Sequence, residues 1–219
     1  MINPKSEYRN GETNSNVQNS KLVEELLSGT FDIRILRLFE IRYWNLVLST
    51  KHSCTEKGVS LKAYLDIETD RTGNICVIGL SIENNGFMQW YGKNIDIYSV
   101  EQELAHVKTI VTFNGDGFDL PQIKKRLYVD LKENRVSRDL FKEKKKLGIK
   151  GGLKDLEKMF GITRRTEGMN GYKAVWLWER YKNKGNLNAL NLLLEYNKED
   201  VLNLITLEKI LDGLRGEPV

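Results

Sequence analysis

The sequence is poor in the residues that build disulfide frameworks and zinc sites. Its 219 residues include two cysteines, two histidines and three prolines. Two cysteines in a chain of this size do not form a disulfide framework, and neither a CxxC nor a histidine-rich zinc pattern occurs. Cys54 lies in a polar stretch, whereas Cys76 lies in an apolar run and is predicted to be a small core residue.

Long hydrophobic runs are also missing. No stretch approaches the about 20 apolar residues that span a membrane, and the N-terminus lacks the basic-then-apolar pattern of a secretion signal. We therefore expect a cytoplasmic protein without a membrane partner. The chain is 40% hydrophobic and 29% charged, which is typical of a globular domain, and its length suits one domain with a short extension.

Positive charge is in small excess, with a formal net charge of +4. This balance permits a polyanionic partner but does not require one. The basic residues are clustered in three segments: Lys124–Arg126, Lys142 with Lys144–Lys146, and Arg164–Arg165. Taken alone, each cluster is better interpreted as a solvated surface.

Residues 1–60 are predicted to form a partly disordered N-terminal extension. Residues 3–20 are polar and aperiodic, like a flexible leader, and residues 21–27 have the pattern of a short amphipathic helix. Residues 31–49 start with strand-like alternation and continue apolar on all sides, so helix and strand both remain open. This apolar stretch fits a docking arm for a protein partner or an ordinary packed extension.

From residue 61 to residue 219 the pattern predicts one α/β domain. Three strands joined by turn signals are followed by helices that alternate with two further strands, which indicates a mixed central sheet of about five strands flanked by helices. Ser99 and Gln102 resemble a capping box. The predicted strands are 62–69, 74–83, 86–92, 109–113 and 135–141, and the predicted helices are 99–107, 117–128, a segment ending at Gly161, 172–181 and 187–212.

Two carboxylates inside the first strand are the most unusual feature. In AYLDIETD, residues 63–70, Asp66 and Glu68 are two residues apart, so their side chains point to the same face. Like charges on one face of a core strand repel each other and are costly to desolvate. The arrangement therefore predicts a compensating partner.

Two further acids lie on other predicted elements. Asp119 opens the helix after the fourth strand, in a strand-to-helix loop of the kind that carries sites in α/β proteins. By itself, Asp119 is better explained as a helix cap. Asp200 lies four residues after Tyr196, so the two share one face of the last helix, on the side that neighbouring leucines turn towards the core.

Four carboxylates from three elements could therefore converge. Oxygen ligands of this kind suit Mg²⁺ or Mn²⁺. Two such ions about 4 Å apart clamp the attacking and leaving oxygens of an in-line phosphoryl displacement. In such a site, the Tyr196 hydroxyl could hold the attacking water.

These residues resemble the motifs of the DEDD superfamily of 3′–5′ exonucleases, which have the ribonuclease H-like fold. DIE at 66–68, NGDGFD at 114–119 and YNKED at 196–200 are similar to its first, second and third motifs, in that order. The tyrosine indicates the DEDDy subclass, because Glu195 stands where the other subclass has histidine. The segment GGLKDLEKMFGI is similar to YprB-type ribonuclease H-like domains and to the proofreading domains of family B DNA polymerases, and the resemblance covers residues 61–212.

The resemblance implies a role for each motif residue. Two divalent cations, Mg²⁺ or Mn²⁺, would be bound by Asp66, Glu68, Asp119 and Asp200, and Tyr196 would orient the nucleophilic water. Asn114 and Phe118 would shape the substrate side. Contacts with the nucleic-acid backbone would come from the basic clusters, namely Lys124, Lys125, Lys144, Lys145, Lys146, Arg164 and Arg165.

Two tryptophans are further candidates for contact with bases. Trp176 and Trp178 are two residues apart on a predicted helix, so they face different sides. We therefore expect one of them to belong to the core.

The first functional hypothesis is a metal-dependent 3′–5′ exonuclease that acts on single-stranded ends of DNA or RNA. A second is a nucleic-acid-binding module with a nuclease-like fold that does not cut. A third is a nuclease component of a larger assembly, docked through residues 1–60. The complete set of acids favours the first hypothesis over the second.

Overall fold

The computed structural model describes residues 61–216, so the predictions for residues 1–60 lie outside the described residues. The strands are β1 (Leu61–Thr69), β2 (Ile75–Ile82), β3 (Gly86–Tyr91), β4 (Val107–Thr112) and β5 (Val136–Asp139). The helices are α1 (Ile97–Glu103), α2 (Asp119–Leu127), α3 (Leu140–Lys146), α4 (Leu153–Met159), α5 (Gly171–Lys184) and α6 (Leu187–Arg215).

The five strands form one mixed sheet in the order β3-β2-β1-β4-β5. The pairs β1–β2 and β2–β3 are antiparallel, as short turns between consecutive strands allow, and β1–β4 and β4–β5 are parallel. The predicted α/β fold with a mixed five-stranded sheet and flanking helices is confirmed. Its topology puts β1 at the centre, with neighbours on both edges.

Side-chain alternation along β1 separates the two faces of the sheet. Leu65 and Ile67 pack in one buried cluster with residues of α1 and α2. Tyr64 packs in another cluster with Val201 and other residues of α6. Residues two apart in a strand point to the same face, so Asp66 and Glu68 lie on the same face as Tyr64, which packs towards α6.

Helix α6 is the longest helix in the described residues and lies across the central strands. Asn186 caps its N-terminus by accepting a hydrogen bond from the Ala189 N–H at 2.9 Å. Gly216 ends it with a φ of 74°, the left-handed conformation that glycine adopts without strain. The predicted helix at 187–212 therefore exists and continues to Arg215.

Two of the element boundaries that differ from the sequence prediction are set by aspartate caps. Helix α1 begins at Ile97 because the carboxylate of Asp96 accepts hydrogen bonds from the N–H groups of Tyr98 and Ser99, so the predicted Ser99 cap is wrong. The predicted strand at 135–141 ends at Asp139, whose carboxylate accepts a hydrogen bond from the Phe141 N–H at 3.0 Å. That cap starts α3, which the sequence reasoning missed.

Several smaller predictions concern burial. Cys76 is 3% exposed, as expected of a core residue. Trp178 is the buried tryptophan and Trp176 the exposed one. Over residues 61–216, no helix combines the length and the apolar character that crossing a membrane requires.

Candidate active site

Three of the predicted acids converge between β1 and α6. Asp66, Glu68 and Asp200 each place one carboxylate oxygen within 4.8 Å of the others. Glu68 and Asp200 are buried and Asp66 is half-buried. The convergence follows from the strand alternation of Asp66 and Glu68 and from the packing of α6 on the same face of the sheet.

Asp119 lies beside this cluster and is tied to β1. The parallel pairing of β1 with β4 stops at Tyr64 and Val111, so β1 continues past the end of its neighbour. There the Ile67 N–H donates to Oδ1 of Asp119 at 3.0 Å, which satisfies a backbone group that has no partner in the ladder. Asp119 is thus held next to the segment that carries Asp66 and Glu68.

The loop before α2 has the backbone geometry that brings Asp119 to this place. Asn114 adopts a left-handed φ of 64°, and its N–H donates to Oδ1 of Asp139 at 2.8 Å. Gly115 packs so closely on the end of β4 that a β-carbon there would lie 2.3 Å from Oγ1 of Thr112. The Asn-Gly pair therefore makes a tight turn that few other residues could form.

Burial and mutual repulsion make these carboxyl groups hard to ionise. Burial is the largest cause, and the charge of Asp200 the second, of a rise in the pKa of Asp66 and of Glu68 well above the ordinary values. Burial raises the pKa of Asp119 to about 7. The cluster therefore favours binding a positive charge among its oxygens.

Two basic side chains contact the cluster at Asp200. Lys154 and Arg164 both donate to Oδ1 of this carboxylate. Arg164 also forms a two-point ion pair with Glu157, with Nε at 2.8 Å and Nη2 at 3.0 Å from its oxygens. The sequence reasoning did not single out Lys154 or Glu157, although both lie in the GGLKDLEKMFGI segment that it quoted.

Tyr196 is buried one helical turn before Asp200, as predicted. Its ring is covered by Lys154, whose Nζ lies 4.4 Å from the ring centroid, and by Arg164 at 5.3 Å. Burial, followed by the charge of Asp200, raises the pKa of the Tyr196 hydroxyl. The hydroxyl therefore remains protonated and can donate a hydrogen bond at neutral pH.

Asn197 is a site residue that the sequence reasoning missed. Its Nδ2 donates to Oδ2 of Asp66 at 2.8 Å and to the Asp66 carbonyl oxygen at 3.1 Å. Gln89 of β3 donates in turn to Oδ1 of Asn197 at 2.7 Å. Gly79 makes room for this amide, because a β-carbon there would lie 2.3 Å from Oδ1 of Asn197. An asparagine three residues before Asp200, on the apolar face of a helix, is the signal that could have identified it.

The remaining predicted site residues are more dispersed. Phe118 is 40% exposed at the start of α2, and Arg165 is exposed with Nη1 3.9 Å from Glu195. Of the predicted lysines, Lys124 pairs with Asp130 at 2.7 Å, and Lys125 and Lys145 are exposed on α2 and α3.

Lys144 and Arg164 correct the prediction of backbone contacts. Lys144 is 3% exposed, and its ammonium donates to the Gly151 carbonyl oxygen at 2.6 Å. The side chain of Arg164 is 7% exposed and is directed at Glu157 and Asp200. The Lys144 ammonium is directed at a backbone carbonyl and the Arg164 guanidinium at two buried carboxylates, so neither side chain is presented to a nucleic-acid strand.

In a metal chelator, the free energy of unfolding should depend on pH through the carboxyl group of Asp119. Between its ordinary pKa of 3.8 and its folded value of about 7, the folded state holds a proton that the unfolded chain releases. Stability therefore falls as pH rises through this window. We expect Asp119→Asn, which lacks this titration, to gain stability relative to wild type by at most about 1.4 kcal/mol per pH unit.

Urea denaturation with a metal chelator at both ends of this window measures the effect. Asp130→Asn is a control whose titration lies below this window, since the hydrogen bond from Lys124 lowers the pKa of Asp130. The difference in stability between that variant and wild type should therefore change little across the window. A constant difference between Asp119→Asn and wild type across the window would contradict the prediction.

Comparison with known proteins assigns the chain to a protein family. A family model, RNase_H_2 of the RNase H superfamily, matches residues 63–212. Among curated proteins, none matches the chain. The family B DNA polymerase from the hyperthermophilic archaeon Pyrobaculum calidifontis has a similar structure, with a TM-score of 0.54 and 18% sequence identity over 71% of this chain and 25% of the polymerase.

The likeness to the polymerase is one of fold, and this chain spans about a quarter of the polymerase's length. The predicted resemblance to ribonuclease H-like proteins is confirmed by the family match, which includes the whole stretch from Asp66 to Asp200. The chain belongs to the RNase_H_2 family of the RNase H superfamily.

Proposed function

We propose that the protein is a metal-dependent nuclease that hydrolyses phosphodiester bonds, acting as a 3′–5′ exonuclease on single-stranded ends. The observation that carries this proposal is the convergence of Asp66, Glu68 and Asp200 within 4.8 Å, on a nuclease-like fold. Three buried or half-buried acids at this spacing destabilise the fold unless they bind positive charge. Divalent cations held by such acids would stabilise the attacking and leaving oxygens of a phosphoryl displacement.

The chemistry of the donors fits a hard divalent cation. Asp66, Glu68 and Asp200 offer carboxylate oxygens and no sulfur or nitrogen, which suits Mg²⁺ or Mn²⁺. Asp119, held beside them by the Ile67 N–H, would contribute to a second ion. Bound there, divalent cations supply the Lewis acidity that stabilises charge on phosphoryl oxygens.

Residues of the chain would hold the reacting groups in place. The protonated Tyr196 hydroxyl, one turn from Asp200, would orient the attacking water by hydrogen bonding. Asn197 fixes the orientation of the Asp66 carboxylate through its 2.8 Å hydrogen bond. This positioning lets the catalytic groups meet the phosphodiester without reorganising, which lowers the activation barrier.

A strand of nucleic acid would approach from the exposed side of the cluster. Phe118 is 40% exposed at the start of α2 and offers a ring to the terminal nucleotide, beside Asn114. Lys124, Lys125, Lys145 and Arg165 remain candidates for contacts with phosphates, because all four are exposed. Their contribution should weaken with salt.

Binding without cleavage is the competing function, and one observation favours it. Lys154 and Arg164 both donate to Asp200, so part of the negative charge of the cluster is balanced by the chain itself. A module that only held nucleic acid could use this balance in place of cations. The nuclease proposal and this alternative differ in whether divalent metal binds and whether the substrate is cut.

The deciding experiment is an activity panel with the full-length protein. Single-stranded and duplex DNA and RNA, labelled at the 5′ or the 3′ end, are incubated with Mg²⁺, Mn²⁺ or chelator. We expect metal-dependent ladders that shorten from the 3′ end. Binding of these substrates with no cleavage under any metal condition would overturn the nuclease proposal and support the binding module.

A further inference from the structure

One face of α5 carries exposed aromatic and basic side chains in a line. Tyr172, Trp176, Arg180 and Lys184, here called the α5 stripe, follow one another at intervals of four residues. Side chains four apart on a helix are neighbours, and twelve residues of helix extend about 18 Å. The stripe is therefore a continuous surface feature with aromatic rings at one end and cations at the other.

The two rings of the stripe are exposed to solvent. Tyr172 is 81% exposed and Trp176 is 45% exposed, whereas Trp178 on the other side of the helix is 8% exposed and belongs to the core. The guanidinium of Arg180 lies 4.6 Å from the centroid of the Trp176 ring. This cation orients the indole and adds positive charge next to its face.

Trp176 separates two concavities along the stripe. The first, of about 440 Å³, has Tyr172 and Trp176 on its rim and Met169, Leu177 and Leu192 among its lining residues. The second, of about 270 Å³, is lined by Trp176 together with Arg71, Glu179, Arg180, Asn183 and Lys184. An apolar concavity thus adjoins a basic one.

The basic concavity has more cations than acids. Within residues 61–216, Arg71, Arg180 and Lys184 form no ion pair, and all three are exposed. Glu179 is the acid of this concavity, and it accepts a hydrogen bond from Asn183 at 3.2 Å. The three cations are therefore available to an anionic partner.

The two concavities are each lined by a residue that is close in sequence to the carboxylate cluster. Leu192, in the apolar concavity, lies one turn before Tyr196 on α6. Arg71, in the basic concavity, follows Glu68 of β1 by three residues. A flexible strand that reached the cluster could continue along α5.

We infer that the α5 stripe binds single-stranded nucleic acid outside the carboxylate cluster. Bases stack on Tyr172 and Trp176, while Arg71, Arg180 and Lys184 contact phosphates. Sequence-tolerant binding of single strands uses this combination of aromatic platforms and a positively charged groove. The inference rests on the proposed function for its class of partner, and it adds a second contact region along the same strand.

The test compares short and long substrates with the Tyr172→Ala, Trp176→Ala double variant of the full-length protein. Fluorescence anisotropy in chelator measures affinity for oligothymidylates of about 3 and about 12 nucleotides, lengths below and within the usual footprint of a single-strand site. We expect the variant to bind the long oligonucleotide at least about tenfold more weakly. Its rate of cleaving the short one with Mn²⁺ should equal that of wild type.

Two further variants sharpen the test. Tyr98→Ala is the matched control, because Tyr98 is 40% exposed on α1, a helix without lysine or arginine. It should bind both oligonucleotides like wild type. Arg180→Gln with Lys184→Gln should reduce the slope of log affinity against log salt by about 1.4, since each lost phosphate contact removes about 0.7.

The outcomes separate the stripe from the proposed function. If wild type cleaves and the double variant binds the long oligonucleotide as tightly as wild type, the inference about the stripe is wrong. The nuclease proposal is still supported in that case. Long-strand binding that depends on the stripe, without cleavage by wild type, supports the stripe and overturns the nuclease proposal. A double variant that binds DNA normally but elutes at a different size in gel filtration assigns the surface to protein contact, which overturns the inference.

Discussion

Asp66→Asn is expected to reduce metal-dependent cleavage about a thousandfold or more, which corresponds to losing about 4 kcal/mol of transition-state stabilisation. The substitution keeps the size of the side chain and leaves an oxygen to accept from Asn197, but it removes a charge from the group that would bind the cations. Initial rates on a labelled single strand with Mn²⁺ measure the loss.

Stability measurements distinguish a lost site from a lost fold. The charges of Asp200, Asp119 and Glu68 repel that of Asp66, so Asp66→Asn should be at least as stable as wild type in chelator. With Mn²⁺ it should gain less stability than wild type, because it binds the ion more weakly. An active variant, or an inactive variant that is unfolded in chelator, would contradict this account.

Asp116→Asn is the matched control for the loss of a carboxylate. Asp116 belongs to the loop that leads to α2, yet its carboxylate accepts from Ser137 at 2.8 Å and pairs with Lys142 and Lys132. We expect this variant to retain wild-type cleavage. Loss of activity in both variants would show that the requirement for a carboxylate is not confined to the cluster.

Arg164→Met should be the most destabilising of the substitutions considered. It leaves Glu157, 2% exposed, without the two-point partner that compensates its buried charge, and it removes one of the two cations at Asp200. Breaking a buried ion pair on one side costs about 3–5 kcal/mol. Urea denaturation should show a loss of this size in the free energy of unfolding.

Two further variants test whether the loss of stability comes from the ion pair between Arg164 and Glu157. Arg165→Met changes the neighbouring arginine, whose side chain is 89% exposed, and should alter stability by less than about 1 kcal/mol. Adding Glu157→Gln to Arg164→Met removes the unpaired charge while its oxygen still accepts from Asn203, so it should recover a large part of the loss. Equal stability of Arg164→Met and Arg165→Met would be incompatible with a buried ion pair.

Local pattern was sufficient to predict the elements that have strong periodicity. The alternation in β1 predicted that Asp66 and Glu68 share a face, and the four-residue spacing in α6 predicted the same for Tyr196 and Asp200. Boundaries set by a single side chain were harder. Asp139 ends β5 and caps α3 at the same time, and the sequence offers no periodic signal for such a switch.

Long-range contacts explain the residues that the sequence reasoning missed or misplaced. Asn197 was missed because its role depends on Gln89 and Gly79, more than a hundred residues away, which leave space for its amide and orient it. Arg164 was assigned to a basic surface cluster with Arg165. Only the packing of α4 against α6 shows that one of these neighbours is directed inward and the other outward.

The sequence by itself determined which side chains share a face, because the periods of strands and helices are fixed by backbone geometry. It thereby determined the α/β fold, the pair of acids on β1 and the pairing of Tyr196 with Asp200 on α6. The tertiary structure alone decided how close those pairs come, which cations reach Asp200, and that Asp119 completes the hydrogen bonding of β1 where β4 ends. These features depend on contacts between residues distant in the chain, and such contacts are set by packing, on which local periodicity carries no information.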